Sequence, residues 1–336
     1  MSAPSSPDKE VMVMKKLSLT AAPHINSGVS THNIMLDVVI AMIPASIAAI
    51  VLFGLKALWI ILTCVVSAVA AEFIFNLCVK KKQTVGDFSA TVTGLLLALN
   101  LSTNVELWQA ALGSVFAIVV VKGLFGGLGK NIVNPAIAAR VLMLLTFASV
   151  AGGAAIAPLF DLSFLGNAVP EIAAGATPLS FLNEGAEAAA SAPSVLQLLV
   201  GAHGGTIGET CAIALVLGFV YLVCRKVIKW YIPVSFIATV FVCYLIAGGF
   251  DVTFALQHVL AGGVFLGAIF MATDYVTTPA TNKGRVVFCI GAGLLTFAIR
   301  FWGSYPEGVS IAILTMNLLV PFINDWTKKK PLGGIK

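Results

Sequence analysis

Charged residues in this chain are confined to short intervals between long apolar runs, and that spacing excludes most folds before any motif is read. The runs are ~15 to 23 residues long, the length of a membrane-crossing helix. Only 10% of the 336 residues are charged, against about 25% in an ordinary soluble domain. Mean hydropathy is +0.99. A chain this apolar cannot cover itself with polar surface, so lipid must be its solvent. A closed barrel would need alternating strands of ~10 residues, and the sequence has none. The expected fold class is all-α, integral to the membrane.

Ten spans are read from the runs: 36–53, 57–79, 89–101, 107–125, 136–150, 210–224, 232–249, 254–273, 286–301 and 308–323. The expected organisation is a cytoplasmic tail (1–35), a five-helix half (36–150), an external loop (151–209), a second five-helix half (210–323) and a cytoplasmic tail (324–336). Residues 1–35 have no apolar stretch of the signal-peptide kind, so no cleaved leader is expected. With the N-terminus inside, all of the 20 Lys and Arg except Lys56 and Arg300 fall in inside segments. That follows the positive-inside rule with both ends cytoplasmic. The net charge of +5 therefore belongs to topology and does not point to nucleic acid. Cys64, Cys78, Cys211, Cys224, Cys243 and Cys289 lie in or beside apolar runs without metal-ligand spacing, and read as small buried hydrophobes.

A weak internal repeat suggests how the halves relate. Residues 111–140 run from a Gly/Ala-rich helix through Gly-Gly-Leu-Gly-Lys-Asn-Ile-Val-Asn-Pro to a basic residue. Residues 261–285 run from a similar helix through Asp-Tyr-Val-Thr-Thr-Pro-Ala-Thr-Asn-Lys-Gly-Arg. Each turn is read as closing a fourth helix before a fifth. Two halves with an odd number of helices must be inverted relative to one another, as in transporters and channels. The short spans 89–101 and 136–150 are candidate half-helices.

Three motifs could carry chemistry. In Gly175-Ala176-Thr177-Pro178 the hydroxyl is sterically open, and Pro178 biases Thr177 to extended backbone. Such a hydroxyl can take a phosphoester, or can simply cap a helix or turn. The external loop holding it has five acids and no Lys or Arg. In Gly126–Pro135, glycines permit close backbone approach, and Asn131 and Asn134 offer amides able to read a flat heterocycle. A tight helix connection is the plainer use. In 274–285, Asp274, Thr277, Thr278, Thr281, Lys283 and Arg285 crowd one turn that can be read as capping or as facing the Gly126–Pro135 turn. Asp37 and Glu72 are acids at or within spans, either structurally paired or on an ion path. His24, His32, His203 and His258 show no ligand spacing.

These segments, with Ser18–Ala45 and Ser89–Leu101, resemble in order the RnfD/NqrB family of membrane subunits of ion-pumping ferredoxin:NAD and quinone:NADH oxidoreductases. In length the chain is more similar to RnfD. The resemblance implies an FMN phosphoester on Thr177, attached by a flavin transferase, and a non-covalent riboflavin near Asn131 and Asn134. It departs at Glu171, where the family motif has Asp, and at Ala174, where it has Ser or Thr. The implied protein is an electron-transferring subunit of an Rnf complex in the bacterial inner membrane, translocating Na⁺ or H⁺ beside iron–sulfur and flavin subunits. A small-solute channel of inverted-repeat type is the alternative that the helices alone allow.

Overall fold

The computed structural model describes residues 30–147, 178–183, 193–201, 203–303 and 307–328, within one compact unit, Thr31–Lys336. Regular structure among the described residues is helical, with no strand. In chain order the helices are α1 (Thr31–Phe53), α2 (Leu55–Cys78), α3 (Ser89–Leu99), α4 (Leu107–Gly123), α5 (Pro135–Thr146), α6 (Pro178–Asn183) and α7 (Val195–Val200). They continue as α8 (Ala212–Cys224), α9 (Tyr231–Ala247), α10 (Val252–Leu260), α11 (Val264–Met271), α12 (Asn282–Trp302) and α13 (Val309–Thr327).

Local chemistry starts several of these helices. Asn134 Oδ1 accepts from the N–H groups of Ala136 (3.0 Å) and Ile137 (3.4 Å), and Pro135 supplies the preset φ of a first helical position. Asp251 Oδ1 accepts from Thr253 N (2.8 Å), and Thr281 Oγ1 from Gly284 N (3.0 Å), opening α10 and α12 in the same way. Helices α1 and α2 are apolar on every side, and Ile47, Trp59, Val66 and Leu77 are among many large apolar side chains that face outward. Such a surface is stable in lipid and not in water.

Four helices (α1, α2, α12 and α13) are long and apolar enough to cross a membrane alone. The pair α10–α11 makes a fifth if its 67° bend is counted as one broken span. Helices α3, α4, α5, α8 and α9 are apolar but have only 10–17 residues. The expectation of a multi-pass helical membrane protein is met, whereas ten full crossings are not seen among the described residues. At 1.5 Å rise per residue, α3 reaches only about 16 Å, half a bilayer core. The segment expected as one span over 254–273 is instead interrupted at Ala261-Gly262-Gly263, where Gly262 has φ +77°.

Helix α2 packs on α3 and α4, α1 on α8, α9 on α12, and α12 on α13. Small residues allow the closest approaches. A Cβ at Gly94 of α3 would lie 2.7 Å from the Cys64 carbonyl oxygen of α2, and one at Gly218 of α8 would collide with the Ala41 carbonyl oxygen of α1. The six cysteines are all free, but only Cys64 and Cys289 are buried; Cys78 and Cys224 are exposed, so the uniform buried reading is corrected.

The repeat also needs correcting. The turn at 124–134 joins the fourth and fifth helices, but the turn at 272–281 joins α11 to α12, the fourth and fifth of the segments that begin at α8 only if the broken pair α10–α11 is counted as two. The resemblance between the turns is nevertheless physical: each follows a π-helical stretch, Ala117–Gly123 and Gly267–Met271. A π-helical turn carries an extra residue and redirects the side chains beyond it.

Candidate functional site

The two turns meet at one end of the bundle and enclose a pocket. Positive φ at Gly126 (+114°), Gly127 (+101°) and Gly129 (+89°) folds the first turn tightly back on itself. Gly127 N donates to Lys122 O (2.9 Å) and Lys130 N to Gly127 O (3.2 Å). The second turn is built around Asp274, whose carboxylate accepts from Val276 N (3.3 Å) and Thr277 Oγ1 (2.9 Å). Tyr275 OH donates to Val227 O, tying this turn to the segment after α8. Burial pushes the Asp274 carboxyl above the usual range, and its bonds from Thr277 and Val276 oppose that.

Asn317 of α13 clips the turns together. With its amide oriented to satisfy both neighbours, its nitrogen donates to Thr277 O (3.0 Å) and its oxygen accepts from Asn134 N (3.2 Å). The expectation of two facing turns is met, and Asn317 is the contact that the motifs do not reveal.

The pocket encloses about 750 Å³ of empty space, its open mouth included, which is the scale of small-molecule and cofactor sites. Its walls are mostly apolar, including Val38, Leu96, Ile269 and Phe270, with Asn131, Lys122 and Asp274 as convergent polar groups. Asn131 is buried, and its Oδ1 has no hydrogen-bond partner. An unpaired buried amide oxygen costs about 1–3 kcal/mol, so a donor on a bound ring would satisfy it. A flat heterocycle of the isoalloxazine kind suits this wall chemistry. Asn134 also lines the pocket, but its Oδ1 is committed to capping α5. The two asparagines read alike in sequence; Asn131 has an amide oxygen left for a ligand, and Asn134 builds the frame.

Beside the pocket lies a buried ion pair. Lys122 Nζ donates to Glu72 Oε1 at 2.8 Å and to Ser89 Oγ at 2.6 Å. Thr84 Oγ1 donates to the same Glu72 oxygen (2.7 Å) and accepts from Asn76 Nδ2 (3.0 Å). Ser89 Oγ in turn donates to Asp87 Oδ1. Lys122 and Glu72 are 3% and 5% exposed. Asp37, the other acid singled out by its place in the sequence, pairs with the mostly exposed Arg225 (3.2 Å) and accepts from Tyr221 OH (2.9 Å), joining α1 to α8. The sequence carries a signal for Lys122: it falls three residues inside the run 107–125 and has no reason to be in lipid unless an acid meets it.

A second polar cluster sits apart from this pair. Arg140 donates to Asn100 Oδ1 (2.5 Å) and pairs with Glu307, which precedes α13. The topology count treats Arg140 as an inside charge; it is buried in the bundle and does not serve as one. Glu209 Oε1 accepts from Thr206 N (3.1 Å).

Thr177, with Glu171 and Ala174, lies outside the described residues. Helix α6 begins at the next residue, Pro178, which keeps the N-cap use of Thr177 alongside the acceptor use. Leu179 and Leu182 of α6 are buried with Leu198, Leu260 and Ala261, against the break between α10 and α11. Among the described residues no three His, Cys, Asp or Glu side chains gather as a metal site.

Known proteins share this sequence along nearly its whole length. The chain is 43% identical over 327 residues to the RnfD-type subunit of the Na(+)-translocating ferredoxin:NAD(+) oxidoreductase complex of Acetobacterium woodii, covering 96% of this chain and 98% of the relative. It is 36% identical to the corresponding subunit of the proton-translocating ferredoxin:NAD(+) oxidoreductase complex of Clostridium ljungdahlii, covering 96% and 98%. It is also 36% identical to the corresponding subunit of the ion-translocating oxidoreductase complex of Stutzerimonas stutzeri, covering 90% and 92%. The model of the NQR2, RnfD, RnfE family matches residues 18–333, and the chain belongs to that family.

Proposed function

We propose that this chain is the RnfD subunit of an Rnf-type ferredoxin:NAD oxidoreductase: a flavin-bearing membrane subunit that passes electrons while the complex translocates an ion. The observation that carries this reading is near end-to-end identity of 43% to a relative with that printed role. The apolar-walled pocket, with the unpaired Asn131 oxygen on its wall, supports the flavin part. Two relatives name different ions, so the reading commits to translocation and not to one ion. A small-solute channel finds no support in the family. The proposed setting is the bacterial inner membrane, with iron–sulfur and flavin subunits as partners. The finer architecture proposed is ten membrane segments in two inverted halves, with several segments as half-helices.

Two flavin positions are proposed. Thr177 takes FMN through a phosphoester made by a flavin transferase, on the outer face. Asn131 holds a non-covalent riboflavin-type ring in the pocket between the turns, with Asn134 shaping the turn behind it. A bound flavin would supply one- and two-electron chemistry. The protein's part is to exclude water with Leu96, Ile269 and Phe270, to orient the ring with the Asn131 amide, and to hold fixed charge at Lys122.

The test separates the two. Purified from cells that contain the transferase, denatured wild-type chain fluoresces in a gel and Thr177→Ala is dark. Equal brightness overturns the acceptor assignment. Acid-extractable flavin is then measured in Asn131→Leu. Losing a buried polar partner weakens binding by about 1–3 kcal/mol, roughly five- to over a hundred-fold. Unchanged extractable flavin in folded Asn131→Leu overturns the pocket assignment.

A further inference from the structure

Lys122 lines both the pocket between the turns and a second cavity of about 350 Å³ bounded by Glu72, Asn76, Thr84 and Gly127. Its position follows from the local backbone. The stretch Ala117–Gly123 is π-helical, which turns Lys122 into the bundle near the end of an apolar helix. There the side chain is 3% exposed, and its ammonium is held between Glu72 Oε1 and Ser89 Oγ. Those bonds use two of its three N–H donors.

A buried pair of this kind is a poor source of stability, because desolvating both ions offsets most of their attraction. Two apolar side chains would fill the same space in a lipid-facing bundle at less cost. What the pair does provide is a fixed positive charge on the pocket wall, in a medium of low dielectric where a charge acts strongly on its neighbours. Glu72 tempers that charge and holds it in place. Ser89, anchored to Asp87, fixes its second bond.

We propose that Lys122 is a positioning residue that sets the reduction potential of the flavin in the pocket, with Glu72 and Ser89 fixing where its charge lies. This rests on the pocket holding a flavin, the reading given above. The ammonium favours added electrons on the ring and raises the midpoint potential. The Glu72 carboxylate lines the second cavity and not the flavin pocket, and partly cancels that effect. The two residues therefore carry opposite signs, which a purely structural pair would not.

The test uses the full chain purified in its complex, in a Thr177→Ala background so that covalent flavin on this chain does not contribute. Non-covalent flavin content and the midpoint potential of that flavin are measured for Lys122→Met and Glu72→Gln. The expected result is flavin retained in both, a lower potential in Lys122→Met and a higher one in Glu72→Gln. Potentials that are unshifted, or that move the same way, with flavin retained overturn the role of Lys122 and leave the flavin site standing. Wild-type complex without non-covalent flavin on this chain overturns the site and the role together. If Lys122→Met does not accumulate, Glu72→Gln decides: an upward shift supports the role, and no shift or a downward one overturns it.

Discussion

Removing Glu72 while leaving Lys122 is expected to be one of the most damaging single changes available in this bundle, and removing both is expected to be mild. The ion pair spans 2.8 Å, and both side chains are at most 6% exposed. At an effective dielectric of about 20, the gross attraction at that distance is about 6 kcal/mol. The Thr84 hydroxyl bond to Glu72 adds about 1 kcal/mol. Deleting the carboxylate recovers its own burial cost, so the net loss falls to about 3–5 kcal/mol, the range found when a buried pair loses one partner. In the Glu72→Leu/Lys122→Met double variant neither charge is left alone, and stability stays close to that of the parent. The assay is the thermal midpoint of the detergent-purified chain, followed by intrinsic fluorescence. For a chain of this length each kcal/mol moves the midpoint by roughly 2 °C. Glu72→Leu should therefore melt about 6–10 °C lower, and the double variant within a few degrees of wild type. A non-additive cycle of this size is the signature of direct coupling. If Glu72→Leu and the double variant melt together, the pair is not energetically coupled and the reasoning fails.

Other outcomes follow from single contacts. Asn317→Leu removes both bonds that clip the turns together, so extractable flavin should fall while the helical circular dichroism signal persists; undiminished flavin would show that the clip is dispensable. Gly94→Val should fail to accumulate in membranes, because its Cβ would sit 2.7 Å from the Cys64 carbonyl, and normal expression would refute the close packing of α2 on α3. Asp274 is raised by burial, so the folded state holds its proton more tightly than the unfolded chain does. Its contribution to stability thus falls as pH rises from about 4 through the folded value. Asp274→Asn should flatten that part of the midpoint-against-pH curve, and an unchanged slope would refute the assignment.

Much of the fold is legible in the sequence because it depends on averages. Long apolar runs demand helices in lipid whatever their partners, so the class and the places of the helices follow from composition. Asn131 is legible for a different reason: glycines flanking amides announce a turn that approaches something closely. Sequence alone does not divide Asn131 from Asn134, because a free amide and a capping amide look alike until the first turn of α5 is in place. Nor does hydropathy reveal the break at 261–263, since Ala-Gly-Gly scores as apolar although its backbone leaves the helix. Charge counting also puts Arg140 among the topology charges, when Asn100 and Glu307 hold it inside.

Lys122 shows the boundary most clearly. The sequence determines that a lysine stands within one apolar run and an acid within another, 50 positions apart. Only the packing of α4 on α2, with the π-helical turn that rotates Lys122 inward, decides that they meet beside the pocket. Asn317 becomes a bridge in the same way, when α13 comes to lie against two turns remote in the chain. A helix is chosen by the residues within a few turns of it, whereas a buried polar group is satisfied by whatever the tertiary fold brings within about 3 Å.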